Sequence, residues 1–158
     1  MSELSAENLA DLEKKYQTTA IIIIAQIFTL LVLIVSVWFL APDSQNPISQ
    51  QTLILLWAAI IFVALGTFIL RRLLFRWDRL KDITLLKGVS GLLKTLQVNA
   101  IILVALAETI AIFGLVIAVL SGETFEIFRA GLVSLILFWL NFPRKSVWQK
   151  IVANLQEV

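Results

Sequence analysis

Four stretches of this chain are too long and too apolar to be accommodated by a water-soluble fold. A helix crosses roughly 30 Å of hydrocarbon with about 20 residues, at 1.5 Å per residue. Residues 18–40 and 52–70 carry no charged side chain, and residues 95–120 carry only Glu108. Residues 124–142 hold Glu126 and Arg129 in their first turns and then run uncharged from 130 to 140. In lipid the backbone has to satisfy its own hydrogen bonds, so even the β-branched run 21–24 is expected to be helical. Composition agrees: 59% of the residues are apolar and 15% charged, against about 45–50% and 25% in soluble domains. The expectation is an all-α integral membrane protein. Its architecture reads as a four-transmembrane-helix bundle forming a single membrane domain over residues 1–158, with a loop over 71–94.

What is missing narrows the chemistry. The chain has no histidine and no cysteine, which removes disulfides, thiol nucleophiles, His-based triads and nearly every zinc or copper site. Asp78 and Asp82 share a helix face, but Arg79 and Lys81 lie between them, which suits a solvated surface better than a metal site. No enzyme activity, no metal and no cofactor is expected.

Orientation follows from the basic residues, which concentrate on the cytoplasmic side of membrane proteins. Lys14 and Lys15 precede the first span. Arg71, Arg72, Arg76, Arg79, Lys81, Lys87 and Lys94 lie between the second and third, and Arg144, Lys145 and Lys150 follow the fourth. Only Arg129 falls on the other side. Both termini are therefore expected in the cytoplasm, in an energy-transducing or plasma membrane. The acidic segment before the first span does not resemble a signal-peptide leader, so that span reads as a retained anchor. Pro42, Pro47, Gly122 and Pro143 punctuate the helix ends. Trp38 is placed near the outer interface, and Trp77, Trp139 and Trp148 near the inner one.

Outside the spans, residues 2–16 read as a short helix capped by Ser5, with Leu9, Leu12 and Tyr16 on one face. In the inner segment Leu73, Trp77, Leu80, Leu85, Val89, Leu92 and Leu96 recur at helical spacing, with Gly88 and Gly91 expected to interrupt the helix. Arg71, Arg72, Arg76, Arg79, Lys81 and Lys87 make this stretch a candidate for anionic headgroups at the inner leaflet, each worth about 1 kcal/mol. The basic residues are accounted for by topology, so no nucleic acid is expected as a partner.

Glu108 stands near mid-span. A charge at the bilayer centre costs about 3 kcal/mol on insertion scales, which makes an intramembrane carboxyl a functional candidate by default. The alternative is a structural group hydrogen-bonded to a neighbouring helix. Depth arithmetic puts Gln26, Thr29 and Ser134 at its level, and with Thr109 they form a candidate ion-binding cluster. Arg129 lies roughly 10–12 Å away along the bundle by the rise per residue, too far for a salt bridge to Glu108. Ala100, Ala107, Ala111, Gly114 and Ala118 line one helix face with small residues suited to close packing, within the bundle or between subunits.

Residues 91–120, and above all Ala105-Leu-Ala-Glu108-Thr-Ile-Ala-Ile-Phe-Gly114, resemble the carboxylate-bearing helix of the proteolipids, the ring-forming subunits of rotary ATP synthases. In that family the carboxyl takes up and releases H⁺ or Na⁺ as a ring of subunits turns. By resemblance that role falls on Glu108. The family's other helix is rich in glycine, whereas residues 52–70 contain only Gly66. Two functional readings stay open. One is a non-catalytic accessory or assembly subunit of a larger membrane complex, with other membrane subunits or its own copies as partners. The other is a proteolipid-like subunit that translocates H⁺ or a cation through Glu108.

Overall fold

The computed structural model describes residues 6–40 and 48–156. Ser5, Pro42 and Pro47, assigned above to a cap and a loop, lie outside the described residues. Five helices follow in order: α1 Ala6–Leu40, α2 Gln50–Leu74, α3 Trp77–Ser121, α4 Phe125–Asn141 and α5 Lys145–Gln156. There is no strand among the described residues. Three helices, α1 to α3, are long and apolar enough to cross a membrane, and α4 joins them if it is taken with α5, from which it is bent by 40°.

The helices begin and end where local chemistry requires it. Ser49 caps α2, its Oγ accepting from the Thr52 amide at 3.2 Å, which satisfies one of the four free amides of a helix start. Gly122 ends α3 in the left-handed region at φ 73° and returns its amide to the Ala118 carbonyl at 3.0 Å. The sharper break is Gly88, at φ 65° and ψ −173° inside α3, a backbone region essentially closed to residues with a Cβ. Gly91, expected to interrupt the same helix, stays helical. Pro143 lies in the three-residue break between α4 and α5.

Helix α3 is the central post, contacting each of the other four helices. Its small-residue face is the reason. Ala107, Ala111, Gly114 and Ala118 are all buried, and a Cβ added at Gly114 would stand 2.3 Å from the Ala130 Cβ of α4. The main core gathers Ile23 and Leu30 of α1, Ile60 of α2, Val104, Ile110 and Ile117 of α3, and Leu137 and Phe138 of α4. By contrast the outward faces of α1 and α2 are apolar and bare: Phe28, Phe39, Leu55 and Phe62 are all more than half exposed.

A second core lies at the end of the bundle formed by the start of α1, the first half of α3 and α5. Leu12, Leu80, Leu92, Leu93, Leu96, Trp148, Val152 and Leu155 close over one another there. Trp148, expected in an interfacial belt, is instead 2% exposed and meets Tyr16 edge to face at 6.1 Å. The physical reason is α5, which follows the Pro143 break and turns its Trp148, Val152, Leu155 face inward. The segment 6–16 is helical and continuous with the first span, with Leu12 buried and Leu9 left exposed. Of the apolar residues of the inner segment, Leu80, Leu92 and Leu96 are buried, whereas Leu73, Trp77 and Leu85 face outward.

Candidate functional site

Glu108 sits one turn from Ala105 and Ile112, both exposed, and beside Ala107, which is fully buried. Helical geometry thus places its carboxyl at the border between the packed face of α3 and the outward one. Gln26 of α1 reaches it there, its Nε2 donating to Glu108 Oε2 at 3.2 Å. The other end of that amide, Gln26 Oε1, is buried without a hydrogen-bond partner. The remaining members of the expected cluster do not join it. Ser134 is buried on α4 and donates to the Ala107 carbonyl at 2.6 Å, one residue from Glu108. Thr29 and Thr109 turn back on their own helices, donating to the carbonyls of Ala25 at 3.1 Å and Ala105 at 3.0 Å. A threonine in a helix interior has this local acceptor always within reach.

A second carboxyl is one that sequence reasoning does not single out. Glu126 is 2% exposed. One oxygen accepts from Trp57 Nε1 at 2.7 Å and the other from Arg129 Nη1 at 2.7 Å. Both bonds are at the short end expected for a charged acceptor, and the first ties α2 to α4. Glu126 and Arg129 at i, i+3 are visible in the sequence. Nothing local marks Trp57 as the partner.

At the other end of α2, Asn99 of α3 donates to the Leu74 carbonyl at 3.1 Å, filling one of the carbonyls a helix terminus leaves open. Around it, Arg72, Arg76, Arg79, Lys81 and Lys87 are exposed and Arg71 is half-buried. Arg72 stacks over the Phe68 ring at 4.8 Å, and Arg76 pairs with Asp78 at 3.3 Å. Glu13 of α1 pairs with Lys145 of α5, and the Lys145 ammonium holds the Glu13 carboxyl below its ordinary value of 4.5.

Residues 87–121 match the family model of the ATP synthase proteolipid, the C-type subunit of that enzyme. The matched segment runs from the Gly88 break to the end of α3 and contains Glu108, Ala111 and Gly114. The rest of the chain matches no family. No curated protein and no solved structure matches the chain. With this segment, and with bare apolar faces on helices long enough to span a bilayer, the chain is an integral membrane protein with a proteolipid-like helix.

Proposed function

We propose that the chain is a non-catalytic accessory or assembly subunit of a larger membrane complex, built around a proteolipid-like helix that has been enclosed by its own chain. The observation that carries this reading is the burial of the small-residue face of α3. Ala107, Ala111, Gly114 and Ala118 are covered within one chain, with Gly114 pressed against Ala130. A helix that has already used its close-packing face on α4 has no equal face left for a neighbouring copy. The apolar faces of α1 and α2 remain for lipid and partner subunits. The topology is four spans with both termini in the cytoplasm, supported by the placement of the basic residues. The exposed arginines and lysines of residues 71–87 then meet anionic headgroups.

The test is mass measurement of the complex released in mild detergent. One or two copies of the 17.7 kDa chain together with different subunits are expected. A closed ring of many copies of this chain overturns the reading. Cysteine labelling checks the topology: Glu123→Cys should react with an impermeant reagent from outside, and Ser90→Cys should not.

A second reading is favoured by one feature, the half-buried Glu108 with a single donor and the unpartnered Gln26 Oε1 beside it. That arrangement leaves an acceptor-rich spot at mid-helix, suited to a proton or a monovalent cation. On this reading Glu108→Gln abolishes ion flux or the activity of the host complex, although the amide is nearly isosteric. Full activity in that variant leaves Glu108 as a structural hydrogen-bonding group.

A further inference from the structure

Where α2 stops and α4 bends into α5, a cleft of about 490 Å³ opens against α3. Arg71 and Arg144 lie on its wall, and no Asp or Glu does. Neither guanidinium has an ion-pair partner among the described residues. The remaining wall is largely apolar and aromatic, including Phe75, Trp139 and Trp148. Asn141 lines it too. Its Nδ2 donates to the Leu137 carbonyl at 2.8 Å, while its Oδ1 is buried and lacks a donor. A second cleft of about 550 Å³ shares Trp139, Phe142 and Arg144 with the first, and its other walls are Ile27, Leu135 and Phe138. Arg144 therefore stands between an aromatic cleft with a second arginine and an apolar one running along α1 and α4.

Two cations beside low-dielectric walls, with no carboxylate supplied, call for an anion from outside the chain. The anion has to come with apolar mass, because the adjoining clefts offer little else to bind. We propose that this paired cleft holds one anionic phospholipid, its phosphate on Arg71 and Arg144 and an acyl chain along Ile27, Leu135 and Phe138. A zwitterionic lipid brings the same phosphate with its own ammonium, which these arginines repel. Phosphatidylglycerol joins phosphate to hydroxyls able to donate to an acceptor such as Asn141 Oδ1, and it is the probe to use. The site rests on the reading that this end of the bundle meets anionic lipid, and names one place where a single lipid is held.

The full chain is reconstituted in phosphatidylcholine vesicles doped with brominated phosphatidylglycerol or, separately, brominated phosphatidylcholine. Quenching of tryptophan fluorescence reports lipid beside Trp77, Trp139 and Trp148. The expected result is a preference for phosphatidylglycerol on the order of tenfold, from two arginines at the surface. The Arg71→Gln/Arg144→Gln variant should lose it, and Arg76→Gln/Arg79→Gln, which removes equal charge from the exposed face, should keep it. Equal quenching by the two lipids overturns the site. Loss of the preference in the Arg76/Arg79 variant but not in the Arg71/Arg144 variant overturns the cleft and leaves the general surface attraction standing. Relief of quenching by millimolar inorganic phosphate assigns the arginines to a free anion and overturns the lipid. If the Arg71/Arg144 variant does not fold, native mass measurement of the wild-type chain decides: a retained anionic phospholipid at one per chain supports the site, and its absence overturns it.

Discussion

Trp57→Phe is the most informative single change in this chain, because it deletes one hydrogen bond and little volume. Helix α2 is the least enclosed of the long helices. Its buried residues are Ile60, Thr67 and Leu74, seven apart, so it leans on the bundle along one narrow stripe. Two polar contacts pin it: Trp57 to Glu126 near its start and Asn99 to the Leu74 carbonyl at its end. Removing the indole N–H leaves one oxygen of a carboxylate that is 2% exposed without a donor. Hydrogen bonds to charged groups contribute about 1.5–3 kcal/mol, so a loss in that range is expected, a factor of roughly ten to a hundred in the folding equilibrium at about 1.4 kcal/mol per tenfold. In a Glu126→Gln background the indole donates to a neutral amide, and the same substitution should cost only about 0.5–1.5 kcal/mol. The double-mutant cycle, read from reversible unfolding in mixed detergent micelles, should therefore show a coupling of about 1 kcal/mol. A Trp57→Phe cost under about 0.5 kcal/mol in both backgrounds, within the range of an inconsequential substitution, would refute the idea that this bond fastens α2.

Other substitutions test the rest of the architecture. Gly114→Leu should abolish close packing of α3 on α4 and cost more than the roughly 1–3 kcal/mol usual for overpacking, whereas Gly66→Ala, which meets open space, should be neutral or slightly stabilising; thermal unfolding of both variants separates them. Gly88→Ala should cost about 1–3 kcal/mol through backbone strain alone, seen as a lowered melting temperature with unchanged oligomeric state. The Glu13–Lys145 pair should be pH-dependent: because Glu13 is depressed below 4.5, its contribution to α5 docking is complete above that value and is lost as pH falls through the lowered one. Trp148 fluorescence should follow that loss, and Glu13→Gln should flatten its pH dependence.

The membrane-crossing helices are legible in the sequence because their signal is cumulative: an uncharged run such as residues 18–40 has few alternatives in any environment. The small-residue face of α3 is equally visible, since alanine and glycine at helical spacing have one structural use. Helix α5 is hidden, although Trp148, Val152 and Leu155 carry the i, i+4, i+7 signature, because Pro143 and the basic residues after it read as an exit from the bundle. The candidate site divides the same way. Gln26 and Glu108 meet because equal depth on parallel spans is arithmetic along the helix axis. Which face each side chain presents is rotational, and this turns Thr29 and Thr109 back to their own carbonyls. Trp57 and Glu126 are a long-range pair set by how α2 lies against α4, a quantity that no local pattern encodes.

The two intramembrane carboxyls make opposite predictions. Glu126 is enclosed, with both oxygens engaged at 2.7 Å by an indole and a guanidinium, so an approaching ion or reagent has to displace a bond to a charged acceptor. Glu108 has one donor at 3.2 Å and lies at the edge of the outward face of α3. Reactivity should therefore fall on Glu108, although Glu126 belongs to the more elaborate cluster. An apolar carbodiimide entering from the lipid should modify Glu108 and leave Glu126 untouched, as read by peptide mass after digestion. Gln26→Leu removes the one donor and much of the polarity beside the carboxyl, and should change the rate of that modification several-fold, with no change at Glu126. Modification of Glu126 at a rate equal to that of Glu108 would mean that the enclosure around Trp57 and Arg129 opens readily. The assignment of Glu126 to structure and of Glu108 to accessible chemistry would then fail together.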